Sequence, residues 1–170
     1  MDTRKTRTWA EVSLGALRHN VEEMQRALPD GCGLLGVVKA DAYGHGASEI
    51  AAALRECGCR YLAVACPQEA LALRQAGETM PILILGAVDA AFASDMAAND
   101  ITLSVECAEK GHALSAALRG GERLRIHLKL DTGMGRLGFR VQDETALREA
   151  AAVAQLPNLD AEGVFTHFSV

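Results

Sequence analysis

The sequence predicts a parallel α/β domain. Three observations carry that reading. Short apolar runs recur six times along the 170 residues, amphipathic helical stretches with legible ends lie between them, and no linker or low-complexity tract interrupts the alternation. The runs cover residues 33–38, 61–65, 82–85, 101–105, 124–130 and 161–165. Most are apolar at successive positions. That suits strands buried on both faces better than a half-solvated antiparallel sheet, which alternates.

The helices follow from their ends. Ser13 is placed to cap a helix carrying Leu14, Leu17, Val21, Met24 and Leu28 at helical spacing, and Pro29-Asp30-Gly31 stops it. Gly58 marks the end of the next. Pro67 suits the first turn of a helix through Leu71 that closes at Gly77. Gly120-Gly121 ends the helix before the fifth run, and Asp143 caps the last one, which Pro157 terminates. Residues 6–12 do not fit this rhythm and read as an extra strand without an evident partner.

Composition narrows the function. The chain is 49% hydrophobic and 23% charged, as a folded globular domain is, and with 4% aromatics its core must be built from Ala, Leu, Val and Ile. A net charge of −5 argues against nucleic acid or an anionic membrane as the main partner. No apolar run approaches the roughly 20 residues of a membrane span. The basic start leads into Trp9-Ala10-Glu11 with no apolar core of a secretory signal. Five cysteines without a C-x-x-C pair read as reduced core thiols of a cytoplasmic protein, with no metal site.

Three stretches carry chemistry. In the first, Lys39 directly follows the run through Val37 and Val38, and so sits at the carboxyl end of a strand, the edge where parallel α/β folds place reactive groups. Burial there favours a neutral amine, able to condense with an aldehyde. In the second, strand alternation sends Arg125, His127, Lys129 and Asp131 to one face, an arrangement that is costly unless they pair with one another or with a ligand. The loop after it, Gly133 to Gly138, matches G-x-G-x-x-G. A dinucleotide site would need a helix opening at the third glycine, and Phe139, Arg140 and Val141 stand there instead. In the third, His167 follows the last run beside Thr166.

The run Lys39, Asp41, Tyr43, Gly44, His45, Gly46 resembles the cofactor-lysine signature of the alanine racemase family, and Lys129, Asp131, Thr132, Gly133, Met134, Gly135, Arg136 resembles its second signature. The resemblance implies the first part of a (β/α)8 barrel, about six strands, with Lys39 closing the first and Lys129 on the fifth. It implies pyridoxal 5′-phosphate held covalently by Lys39, which is also one of two catalytic bases. Tyr43 then contacts the cofactor phosphate, Leu85 and His167 flank the cofactor, and Arg136 contacts cofactor and substrate. Met134 lies on the substrate side, and Lys129 is carbamylated. It implies alanine as substrate, supplying D-alanine for peptidoglycan, and a head-to-tail homodimer whose partner subunit provides the opposite base, a tyrosine. Residues 1–170 are then the amino-terminal part of the barrel, inactive alone, with its remainder and a second, mostly β domain lying outside. Three alternatives remain: a non-catalytic pyridoxal-phosphate-binding barrel, a racemase for serine or other amino acids, and a structural or interaction module in which the incomplete barrel dimerises through its open sheet edges.

Overall fold

The computed structural model describes residues 8–169. After an irregular stretch over 8–13 comes helix α1 (Leu14–Ala27), whose start is fixed by Ser13: its Oγ accepts the N–H of Ala16 at 3.1 Å. There follow β1 (Leu35–Val37), a short helical turn α2 (Lys39–Gly44), α3 (Ala47–Glu56), β2 (Tyr61–Val64), α4 (Pro67–Gln75) and β3 (Ile82–Ile84). A 3-10 turn (Ala90–Phe92) leads into α5 (Ala93–Ala98), β4 (Ile101–Val105), α6 (Ala108–Ala117), β5 (Leu124–Asp131), β6 (Phe139–Arg140), α7 (Glu144–Val153) and β7 (Leu159–Thr166).

Every strand pair is parallel, in the order β1-β2-β3-β4-β5, with β7 running the length of β5 and β6 pairing its last two residues. All six predicted runs are strands, and they form an incomplete (β/α)8 barrel. The outer face packs under the helices. Leu62, Val64, Ile82, Ile84, Leu103, Leu124 and Ile126 are buried with Ile50, Leu54, Leu73, Met96, Leu114 and Val153. Each such side chain contributes about 1.5–3 kcal/mol by leaving water. The inner face is buried too but mixes apolar side chains such as Leu83 with the polar Thr102, Ser104 and Lys129. That two-sided burial explains the near-continuous apolar runs.

At the amino-terminal rim of the strands, charges are paired. Arg74 donates to the carbonyls of Glu78, Met80, Asn99 and Asp100, tying the loop before β3 to the loop before β4. Glu78 is buried and meets Arg55 at 2.7 Å. Arg123 pairs with Asp160, which binds Asp160 into this rim.

The structure corrects three expectations. Residues 8–12 form no strand, and Thr6 and Arg7 lie outside the described residues. A seventh strand, the two-residue β6, was not predicted because a pair of residues carries no periodicity. The cysteines are all free, but Cys32 and Cys107 are exposed rather than core thiols. No described helix is long and apolar enough to cross a membrane, and no described cluster of His, Cys, Asp and Glu could hold a metal.

Candidate active site

At the carboxyl ends of the strands lies a cavity of about 610 Å³ whose lining includes Lys39, Leu85, His127, Lys129, Arg136 and His167. Five of these are residues the sequence singled out for the cofactor site. The chain brings them together from β1, β3, β5, the loop after β5 and the end of β7.

Lys39 is half-buried and follows Val38, whose N–H donates the last rung of the β1–β2 ladder to the Ala63 carbonyl at 2.8 Å. The chain then makes a left-handed turn. Ala40, Asp41, Ala42 and Tyr43 have φ of 51°, 54°, 51° and 56°, a region costing about 1–2 kcal/mol for each residue with a Cβ. Specific bonds hold it. The Ala42 N–H donates to the Val38 carbonyl at 2.9 Å, the Gly46 N–H to the Asp41 carbonyl at 3.0 Å, and the Ala47 N–H to Asp41 Oδ1 at 2.7 Å. Glu69, from α4, accepts the Ala40 N–H at 2.8 Å. The turn leaves Tyr43 61% exposed, outside the lining, with its ring centroid 5.9 Å from Lys39 Nζ.

On β5, Lys129 is 5% exposed, its Nζ 5.1 Å from the Phe165 ring centroid. Burial pushes its pKa down, and so does the Arg136 guanidinium, while Glu106 and Asp131 pull the other way. Glu106 itself has a buried oxygen, Oε2, with no hydrogen-bond partner. Asp131 organises the following loop by accepting the N–H groups of Gly133 and Gly135, both at 3.0 Å, and these bonds hold its carboxyl below the usual carboxylate range. Arg136 is thereby set at the cavity mouth, whereas Met134 is half-buried outside the lining. Gly138 is required by packing: a Cβ there would lie 2.8 Å from the Lys129 carbonyl oxygen. Strand β6 follows it instead of a helix, so the glycine pattern serves a tight loop and no dinucleotide cradle.

Beneath the cavity, side chains of four strands form a polar floor. Glu162 Oε1 accepts from Tyr61 Oη at 2.7 Å and from Thr102 Oγ1 at 2.8 Å, and lies 3.5 Å from His127 Nε2. Burial lowers the His127 pKa against the pull of Glu162, and burial pushes the Tyr61 phenol up to about 12. So the charged face of β5 does pair, partly with a carboxylate the sequence did not flag. Glu69, Glu106 and Glu162 all escaped sequence reasoning. Two left a trace: Glu69 is the third residue of its helix, where capping carboxylates sit, and Glu162 interrupts an apolar run.

This set suits a phosphorylated aldehyde. It offers one lysine amine on an accessible wall, an arginine at the mouth, and no salt bridge to Lys39, Lys129 or Arg136 among the described residues. Residues 12–170 match the family model "Alanine racemase, N-terminal domain". The chain belongs to the alanine racemase family. It is 43% identical over 162 residues to the alanine racemase of Desulforamulus reducens, covering 95% of this chain and 44% of that protein. It is 45% identical over 162 residues to that of Geobacillus stearothermophilus, covering 95% and 42%. The structure of Clostridium difficile 630 alanine racemase in complex with cycloserine superposes with a TM-score of 0.93 at 39% identity, covering 98% of this chain and 46% of that one. The histidine racemase of Leuconostoc mesenteroides also superposes, with a TM-score of 0.82 at 31% identity, covering 94% of this chain and 42% of that one. This alanine racemase domain therefore spans less than half the length of the proteins it resembles.

Proposed function

We propose that this domain holds pyridoxal 5′-phosphate covalently through Lys39 and forms the cofactor-binding half of a racemase acting on alanine. The observation that carries the reading is the convergence of Lys39, Arg136 and His167 on one cavity at the strands' carboxyl ends. When bound, the cofactor supplies an electron sink that acidifies the Cα–H bond of the amino acid joined to it.

Lys39 would hold the aldehyde carbon of the cofactor, and its amine would take or return the Cα proton from one face. Arg136 draws the anionic oxygens of cofactor and substrate to the mouth, with Met134 on the substrate side. Tyr43, at the rim, offers its hydroxyl to the phosphate. Leu85 and His167 form walls against the ring. Lys129, buried with its pKa pushed down, loses its proton more readily than a free lysine, and its deprotonated nitrogen would add carbon dioxide, forming an N–C bond and releasing one proton. The resulting carbamate anion pairs with Arg136 and steadies it. The opposite base is a tyrosine from the partner subunit of a homodimer, in the remaining part of a cytoplasmic enzyme that supplies D-alanine for peptidoglycan.

One base acting from one face exchanges a Cα proton without inverting the centre. With pyridoxal phosphate in heavy water, the chain is expected to deuterate Cα of one alanine enantiomer at least tenfold faster than the other, followed by NMR, with little interconversion. Lys39→Ala abolishes the difference. Equal exchange of both enantiomers, or exchange that survives Lys39→Ala, overturns the reading.

A further inference from the structure

We infer that Glu69 is a positioning residue for Lys39, acting through the backbone; this rests on the reading of Lys39 as the cofactor lysine. The β1–β2 ladder ends at the cavity edge. After the Val38 rung, the parallel register makes the Ala40 and Ala65 N–H groups the next donors between the two strands. The left-handed turn removes their acceptors, because the chain leaves the sheet at Lys39 and the Val38 carbonyl is taken by Ala42. Two backbone donors at the cavity edge are thus left over.

Glu69 takes both. Its Oε1 accepts from Ala40 at 2.8 Å and its Oε2 from Ala65 at 2.7 Å, so one half-buried carboxylate bridges the ends of adjacent strands. A glutamate at this helix position ordinarily turns back to the N–H of the cap residue, here Cys66. This one reaches past its own helix to a residue 29 positions earlier. The bond falls on the residue directly after Lys39, at the first of four left-handed residues. Without it the first strained residue loses its anchor, and the direction in which Lys39 leaves the strand is no longer fixed.

The test uses the chain with pyridoxal phosphate and cyanoborohydride, comparing native protein with Glu69→Gln, which keeps the shape and one acceptor, and Glu69→Ala, which keeps neither. Two quantities are read by mass spectrometry: amide hydrogen exchange of Ala40 and Ala65, and the ratio of trapped adduct at Lys39 to that at Lys110. In Glu69→Ala both amides are expected to exchange at least tenfold faster and the ratio to fall at least tenfold, with Glu69→Gln in between. Unchanged exchange overturns the inference, and so does faster exchange with a ratio that stays within twofold. If Glu69→Ala does not fold, Glu69→Gln decides by the same criteria. A native chain showing no preference for Lys39 contradicts the cofactor reading instead, and the exchange rates then judge Glu69 by themselves.

Discussion

The two rims of the barrel treat charge in opposite ways. At the amino-terminal rim the buried and half-buried charges are in ion pairs or hydrogen bonds: Arg74 spends its donors on four carbonyls, Glu78 meets Arg55, Arg123 meets Asp160, and Arg125 meets Asp100 although its buried Nε makes no hydrogen bond. At the carboxyl-terminal rim, Lys129 is buried without an ion pair among the described residues, Arg136 stands at an open mouth, and Glu106 keeps an orphaned oxygen. Buried polar groups are costly when unmet, so a rim that tolerates them is shaped around something other than its own stability. This division fits stability at one end of the barrel and the proposed chemistry at the other.

Four substitutions probe that contrast. Arg74→Ala leaves four carbonyls at the amino-terminal rim without a donor and is expected to cost about 3 kcal/mol in urea unfolding. Covalent trapping of the cofactor by the folded protein should be unchanged, and a lost adduct would show that the rims are coupled. Gly163→Ala attacks the floor between them. A Cβ there would lie 2.8 Å from His127 Nε2, and displacing that ring should cost about 2 kcal/mol and shift the imidazole resonances in NMR.

Glu78→Gln adds a pH signature. Burial pushes the Glu78 pKa up, but the N–H groups of Met80 and Thr79 and the Arg55 guanidinium outweigh it and hold the carboxyl below its ordinary value. A folded pKa below the unfolded one means stabilisation that is complete above about pH 4.3 and fades as pH falls through the folded value. The native chain should therefore exceed Glu78→Gln by about 1.5 kcal/mol at neutral pH, with the gap closing in acid. A constant gap from pH 7 to pH 3 would sink this account. The smallest effect belongs to the open rim. With Lys129 kept as the free amine by excluding carbon dioxide, Arg136→Ala should leave stability within about 0.5 kcal/mol, because it then removes a charge that has no ion pair among the described residues and relieves the repulsion on Lys129. The pKa of Lys129 should then rise, as measured by NMR of its Cε protons. A loss as large as that of Arg74→Ala would erase the distinction between the rims.

Much of this was legible in the chain because it is local. The six strands, the Ser13 and Asp143 caps, and Pro67 in the first turn of α4 all depend on neighbours a few positions away. Lys39, Lys129, Arg136 and His167 could be assigned to one edge because parallel strands present their carboxyl ends together. The left-handed turn could not be seen. Ala40, Asp41, Ala42 and Tyr43 carry no preference that selects it, and it persists through contacts with Val38 and Glu69. Glu162 showed only as a break in an apolar run; its role was not visible, since its partner Tyr61 lies 101 residues away.

The most direct test of the whole account is to treat the chain with pyridoxal phosphate, reduce it with borohydride and map the pyridoxyl group by peptide mass spectrometry. Lys39 should carry most of the label, at least tenfold more than Lys110 or any other lysine, and Lys39→Ala should show no visible absorption band. A label spread evenly over Lys39, Lys110, Lys129 and other lysines, or none at Lys39, would contradict this.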